Sequence, residues 1–379
     1  MRVAFFTDTY LPNVDGVVST ISSLKKQFEK KGNEVFIFSP GSKKQKESNK
    51  DDHVHYFTST SFKPYPDYRI ALFNFFSPVK LVKERKIEII HSHGIATTGL
   101  AAIKTSQKLG IPAFATFHTL VPEAVHYITK EERIKDILSK AAWKYLIWYY
   151  SHFKKVFVPS MFVKEMLEKR GLKNTILLPN GIDTRKFSEK NADPGLIRKK
   201  FKIPKSYPVV AHVGRVALEK GIDLLIESAP SILNIMPKSV FLIVGKGPGE
   251  NYYKDLVAKK GLEKHFIFTG YVSENLLLSA YATADALVFP STFDTQGLTV
   301  LEAMGMGTPA VVRKNSAPSE MIEEGVDGYI FSDHFDFYEK VVNAVKNKKK
   351  IKENVIKKAR KYDIRDVSQN LLEMYEKYR

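Results

Sequence analysis

The sequence predicts an α/β protein built from two parallel-sheet domains, and three observations carry the expectation. Short apolar runs of strand length alternate with segments at helical spacing along the chain, the pattern of βαβ units. At 379 residues the chain is too long for one compact core. After Pro179-Asn180-Gly181-Ile182-Asp183 the alternation starts afresh. The expected domains are 1–182 and 183–365, with a last helix over 366–379.

Residues 3–6 read as a buried strand, followed by the loop 9–16 and a helix with Ile21, Leu24 and Phe28 on one face that stops at Gly32. Residues 35–38 make the next strand. The lysine-rich stretch between Gly41 and Asp52 reads as a solvated, mobile loop. The aromatic segment 62–76, with Pro64 and Pro66, has no regular period and reads as a surface loop placed to close over a cleft. Strands follow at 87–90, 113–117, 156–158 and 176–178, then at 209–213, 240–244, 266–268, 286–289 and 310–312 of the second domain. Beyond Asp333 the chain turns helical and basic, and its last helix carries Leu371, Leu372 and Met374, which need a surface to cover them.

Composition narrows the class. With 44% hydrophobic and 26% charged residues the chain reads as soluble and globular, and no run is long and uncharged enough to cross a bilayer. The N-terminus reaches Asp8 after a short apolar run, unlike a signal peptide. The absence of cysteine excludes disulfides, thiolate metal sites and a cysteine nucleophile, and fits a cytoplasmic setting. A net charge of +18 calls for a polyanionic partner: nucleic acid, an anionic membrane or a phosphorylated substrate. Residues 137–164 hold no acid and interleave Lys140, Lys144, Lys154, Lys155 and Lys164 with Trp143, Tyr145, Trp148, Tyr149, Tyr150 and Phe153. Two readings stand for this stretch: rings buried in their own domain, or rings and lysines at a lipid headgroup boundary. No nucleic-acid recognition motif accompanies the charge.

The stretch 289–305 gathers the densest chemistry. A strand ends at Phe289, turns at Pro290, and restarts near Gly297 as a helix with Leu298, Leu301 and Met304 on one face. Free N–H groups at such a helix start favour an anion. Asp294 lies in the turn and Glu302 about two helical turns on, a spacing that suits two hydroxyls of one elongated ligand around a phosphate, as in a nucleotide sugar. The plainer alternative makes Asp294 a helix cap and Glu302 a solvated residue.

Arg215 and Lys220 follow the strand 209–213, at the carboxyl end where open α/β sheets bind ligands; together they suit a diphosphate, or are surface cations beside a turn. Gly245-Lys246-Gly247-Pro248-Gly249 fails the dinucleotide fingerprint but makes a tight turn that a base can approach. Asp15-Gly16 opens a second helix N-terminus. His118 closes the strand 113–117 at its carboxyl edge, with Thr119, Glu123, His126 and Tyr127 just beyond. His91 with His93, and His53 with His55, have the spacing of a metal pair but no third ligand nearby in sequence. No D-x-D occurs, so leaving-group charge falls to Arg215, Lys220 and helix termini, and the expected chemistry needs no metal or other cofactor.

These residues resemble the retaining glycosyltransferases of the GT-B fold, the large family that includes glycogen synthases, sucrose synthases and lipid glycosyltransferases. The resemblance rests on the Gly16 loop, 179–183, Gly214-Arg215 with Glu219-Lys220-Gly221, the turn from Gly245 to Gly249, and the acid-x7-Glu element at Asp294 and Glu302. It implies two facing Rossmann-like domains: 1–182 on the acceptor side, 183–365 holding the nucleotide sugar, and the 366–379 helix crossing back to the first. On the donor side it implies Gly16, Arg215 and Lys220 at the diphosphate, Glu302 at the ribose, Asp294 at hydroxyls of the sugar, and Thr295, Gln296, Gly297, Leu298 and Thr299 at phosphate and sugar. Gly245, Lys246 and Val272 join the donor side. His118 would lie beside the reacting carbon, with His126 and Tyr127 toward the acceptor. The family usually carries glutamate where this chain has Asp294, which shortens the reach by about 1.5 Å.

Within the family the chain looks most like diacylglycerol glycosyltransferases, through residues 7–17, Phe117-His118-Thr119 with His126-Tyr127-Ile128, and 294–299. That implies a hexose moved from UDP-glucose to a membrane lipid such as 1,2-diacylglycerol, by a protein peripheral to the inner face of the cell membrane and docked through a basic, aromatic N-terminal domain. A soluble sugar or polysaccharide acceptor, or a nucleotide-sugar epimerase on the same plan, are the alternatives.

Overall fold

The computed structural model describes residues 1–13, 15–61, 69–72, 76–120, 131–291 and 293–379. The chain divides into two compact units, Met1–Gly181 with Ile364–Arg379, and Ile182–Asp363.

The first unit contains β1 (Arg2–Phe6), β2 (Glu34–Gly41), β3 (Val54–Ser61), β4 (Arg69–Ala71), β5 (Ile89–Ser92), β6 (Ala113–Thr116), β7 (Lys155–Val158) and β8 (Thr175–Leu177). They form one sheet in the order β4-β3-β2-β1-β5-β6-β7-β8. Every pairing is parallel except β3 with β4. The second unit contains β9 (Val209–Val213), β10 (Val240–Val244), β11 (Phe266–Gly270), β12 (Ala286–Phe289), β13 (Ala310–Arg313) and β14 (Gly328–Phe331). All are parallel, in the order β11-β10-β9-β12-β13-β14.

This second order is the doubly wound Rossmann sequence of strands, and the winding reverses between β9 and β12. The carboxyl ends of two strands at such a reversal are where open doubly wound sheets bind ligands. The first sheet reverses in the same way between β1 and β5. β9, β10 and β12 are buried at every position, which is why they are apolar apart from His212.

The closing helix, Ile364–Tyr378, packs in the first unit beside the helix Gly16–Lys30. It buries Ile364, Val367, Leu371, Leu372 and Tyr375 in the cluster that also holds Val3, Phe5, Ile21, Leu24 and Phe28. Leu371 and Leu372 thus find the surface that they require.

Three expectations are corrected. The stretch between Gly41 and Asp52 is not all loop: Lys43–Ser48 is a short helix, closed by a reciprocal capping box between Ser42 and Gln45. Within 62–76, Arg69–Ala71 is a strand paired antiparallel with β3; residues 62–68 and 73–75, and with them the expected closing loop, lie outside the described residues. β3 and β14 add strands where the sequence analysis places none.

The acid-free stretch resolves by face. In the helix Glu132–Ser151, Leu146, Tyr149 and Tyr150 are buried, as is Phe153 just after it, while Trp143 lies half-buried with the Arg170 guanidinium 4.0 Å from its ring centre. The opposite face is exposed: Ile134 (40%), Ile137 (66%) and Trp148 (49%), with Ala141, Lys140 and Lys144 among them and Lys154 exposed beyond the helix end.

Candidate active site

In the second unit, β9 runs into Gly214, passes through a short 3-10 turn, Leu218–Lys220, and reaches Gly221, whose φ of 67° suits glycine. There the helix Ile222–Ile235 begins. From β12 the chain turns at Pro290 and arrives at Gly297, with φ 90°, where the helix Leu298–Gly305 begins. The two loops touch: a Cβ at Gly221 would lie 3.3 Å from Cβ of Pro290.

That contact brings Lys220 to Asp294 across the switch point. The Lys220 ammonium donates to both carboxylate oxygens of Asp294, at 2.9 and 2.8 Å, with side chains 18% and 22% exposed. Burial works to raise the Asp294 carboxyl, yet the Lys220 charge and hydrogen bond outweigh it and hold the group below the usual carboxylate range. Arg215 is neutralised within its own loop by Glu219. Both cations therefore rest against carboxylates, and neither Asp294 as a helix cap nor the cations as loose surface charges describes the site.

Glu302 lies on the helix Leu298–Gly305 and accepts a hydrogen bond of 2.6 Å from the Tyr281 hydroxyl. Burial pushes its carboxyl up to about 7, against the hydrogen bond and the Lys186 charge. The Gln296 amide is buried against the Met321 sulfur at 3.9 Å. Thr295 and Leu298 are half-buried, while the Thr299 hydroxyl is buried without a hydrogen-bond partner among the described residues.

Gly245 takes φ 133° where its N–H donates to the Gly270 carbonyl at 3.1 Å. A Cβ there would collide with the carbonyl oxygen of Gly214. The Lys246 side chain lies along Gly270, two residues before the half-buried Val272. Gly245→Ala is expected to lower unfolding stability by about 2–4 kcal/mol, because neither backbone can yield cheaply. The left-handed but unobstructed Gly261, replaced by alanine, should cost about 1 kcal/mol. Urea titration of both variants checks the contrast.

In the first unit, Asp15 caps the helix Gly16–Lys30, accepting from Val18 N–H at 2.8 Å and the Thr9 hydroxyl at 3.1 Å. Asp8 accepts from the N–H groups of Ile95 and Ala96, at 2.7 and 2.8 Å, and from Thr98, so the helix Thr97–Leu109 starts on a protein carboxylate. His118 stands past the end of β6, with Nε2 2.8 Å from Nδ1 of His93. His126 and Tyr127, with Glu123, lie outside the described residues. The conceivable histidine metal pairs are otherwise engaged. His91 bonds Tyr375 and Thr116 through its two nitrogens, and His53 and His55 pack on Phe36 and Phe57, at 4.5 and 4.9 Å between ring centres.

Two groups, Tyr281 and His212, escape the sequence reading, and Glu219 enters it only as part of a motif, without a role. Glu219 was visible in sequence as the acid four residues from Arg215. Tyr281 and His212 carry no motif. The imidazole of His212, in β9, is buried with Nδ1 3.3 Å from the Val288 carbonyl, near enough to Lys220 and Asp294 to feel their charges.

Two parallel-sheet units, with paired charges where the second sheet reverses, define a glycosyltransferase of the GT-B fold, and comparison with known proteins gives the family. The description "Glycosyl transferases group 1" matches residues 195–362 and "Glycosyltransferase Family 4" matches residues 14–186. The chain is 29% identical to the alpha-monoglucosyldiacylglycerol synthase of Streptococcus pneumoniae, covering 91% of this chain and 78% of the relative. It is 26% identical to the alpha-monoglucosyldiacylglycerol synthase of Acholeplasma laidlawii, covering 92% and 89%. Among solved structures, Anabaena Alr3699/HepE in complex with UDP-glucose matches with a TM-score of 0.78 at 18% identity, over 100% of each chain. The chain belongs to the group 1 glycosyltransferases and is an enzyme, a hexosyltransferase.

Proposed function

We propose that this enzyme transfers glucose from UDP-glucose to 1,2-diacylglycerol with retention of the anomeric configuration and without a metal ion. The observation that carries the reading is the Lys220–Asp294 pair at the switch point, beside the start of the helix Leu298–Gly305. Donor and acceptor are inferred from relatives named as alpha-monoglucosyldiacylglycerol synthases.

The pair is a stored contact that a donor exchanges for two better ones. Diphosphate oxygens draw the Lys220 ammonium, with Arg215, away from their carboxylates. Asp294 then accepts from sugar hydroxyls, whose hydrogen bonds favour its ionised form. The bond from the sugar carbon to the diphosphate breaks while the lipid hydroxyl attacks from the same side, and the hydroxyl proton passes to the departing diphosphate. Charge grows on that diphosphate in the transition state, where fixed cations and helix N–H groups act most strongly. The Arg215 and Lys220 cations are offered for the role that a metal plays elsewhere.

The membrane half of the proposal is supported by the exposed face of the helix Glu132–Ser151. Ile134, Ile137 and Trp148 would enter the headgroup boundary while Lys140, Lys144 and Lys154 meet anionic lipid, each lysine contributing about 1 kcal/mol. Among the described residues no helix is long and apolar enough to cross a membrane.

The test is one assay. Anionic vesicles containing diacylglycerol are incubated with UDP-glucose and chelator, and the glycolipid is analysed for its anomeric linkage. An α-glucosyl lipid formed at full rate in chelator supports the reading; dependence on added metal, or an inverted product, overturns its chemistry. Release of an altered sugar from donor alone would favour the epimerase. In the same assay, I137S/W148S is expected to weaken vesicle binding by at least about tenfold while thermal stabilisation by UDP-glucose is kept. Unchanged sedimentation with vesicles would remove that face from the membrane account.

A further inference from the structure

Three histidines of the first unit form a stack. His91 and His93 project from the same side of the chain at the end of β5, ring centres 4.2 Å apart and planes 10° from parallel. His118, beyond β6, stacks on His93 at 5.1 Å. Phe5 meets His91 and His93 edge to face. His91 is satisfied at both nitrogens, by Tyr375 and Thr116. His93 is not: its Nδ1 faces Nε2 of His118 at 2.8 Å, while its own Nε2 is buried without a hydrogen-bond partner among the described residues.

Burial drives all three imidazoles toward the neutral form, His118 down to about 4. A neutral ring has one N–H, so in the contact between His93 and His118 one nitrogen donates and the other accepts. Were His118 the donor, the His93 proton would sit on Nε2 as a buried N–H with nothing to receive it. Were His93 the donor, the unmatched group would be a bare lone pair. Orphaned buried N–H groups are the rarer of the two.

We infer that His93 donates from Nδ1 to Nε2 of His118 and thereby fixes His118 as the Nδ1–H tautomer. His93 is a positioning residue. In that tautomer Nδ1 of His118 is a hydrogen-bond donor, and the ring is not a base able to take the acceptor proton. That consequence rests on the function proposed above, with His118 beside the reacting carbon; the tautomer itself does not.

The test is nitrogen-15 NMR of the histidine rings in the full-length protein near pH 7. His118 is expected with its proton on Nδ1, the less common form in water, and His93 likewise. H93F, which removes the donor, should return His118 to Nε2–H, whereas H93N places an amide NH2 where Nδ1 stood and should keep the native pattern. In turnover, H93F should lower kcat on the order of tenfold or more at little changed donor KM, with H93N recovering most of it. A native His118 protonated on Nε2 overturns the inference, and this reading is available even if H93F fails to fold. An unchanged His118 tautomer in folded H93F overturns it as well. The predicted tautomer in a protein that glucosylates no lipid would count against the proposed function alone.

Discussion

Lys220→Ala is expected to cut turnover by about two to three orders of magnitude with the second unit still folded. The magnitude follows from where the charge acts. In the resting enzyme Lys220 neutralises Asp294; in the transition state it would face a diphosphate gaining charge in a partly buried crevice, where a fixed cation is worth more than in water. The stability cost should be modest, about 1–3 kcal/mol, because removing one partner leaves the other partly buried and unmatched. Those two effects separate in a second variant. K220A/D294N removes both charges, so stability should return toward the native value while turnover does not. Lys220→Arg should retain part of the rate, since a guanidinium reaches phosphate with different geometry. Steady-state rates with urea midpoints for the three variants decide it; K220A within threefold of native turnover would remove Lys220 from the chemistry.

The wild-type pair also has an acid signature. Asp294 is held below its ordinary range, so its contribution is present above the unfolded carboxylate pKa and is lost as pH falls through the lower folded value. In K220A that depression is gone and burial alone raises the Asp294 carboxyl, so the stability gap between K220A and the native enzyme should narrow as pH falls.

Much of this site is legible in the sequence because loops at the carboxyl ends of parallel strands announce themselves: Val209–Val213 is apolar but for His212, Ala286–Phe289 is apolar throughout, and Arg215, Lys220 and Asp294 follow. That Lys220 meets Asp294 is not legible, since it depends on β9 lying next to β12, a pairing set by the whole sheet. The strands that the pattern hides are hidden for reasons of position. β4 and β14 are sheet edges and short, β14 being a largely buried Tyr-Ile-Phe run only three apolar residues long, and β3 carries Thr and Ser on a half-covered surface, so none shows a long apolar run. Lys43–Ser48 has no apolar stripe; only its Ser42-x-x-Gln45 capping signal marks it as a helix. In the Ile137–Lys164 stretch sequence gives the residues but not the face. Tyr149 and Trp148 are neighbours in sequence, and the helix turns one inward and the other out.

Acidification from pH 7.5 to 5 is expected to destabilise the first unit far more than the second. His91, His93, His118 and His55 of the first unit have pKa values lowered by burial. Above about pH 6.5 these rings are neutral in both states and contribute no pH dependence. Below it the unfolded chain binds protons that the fold refuses, so stability falls with pH, by about 1.4 kcal/mol per unit for each fully shifted ring. Asp15, raised by burial, works the other way, but only near the carboxylate range. In the second unit two groups oppose each other. His212, lowered to about 4 by burial, removes stability as pH falls below 6.5. Glu302, raised to about 7, binds a proton in the fold before the unfolded chain does, and so restores stability between about 7 and 4.5. The two slopes nearly cancel. Both tryptophans, Trp143 and Trp148, belong to the first unit, so their fluorescence reports it selectively while far-ultraviolet circular dichroism reports both. Thermal unfolding should show the tryptophan midpoint dropping steeply between pH 6.5 and 5 while a second transition, seen only in the dichroism, moves little. Coincident midpoints at pH 5, or a second-unit transition that falls as steeply, would contradict the assignment of those buried groups.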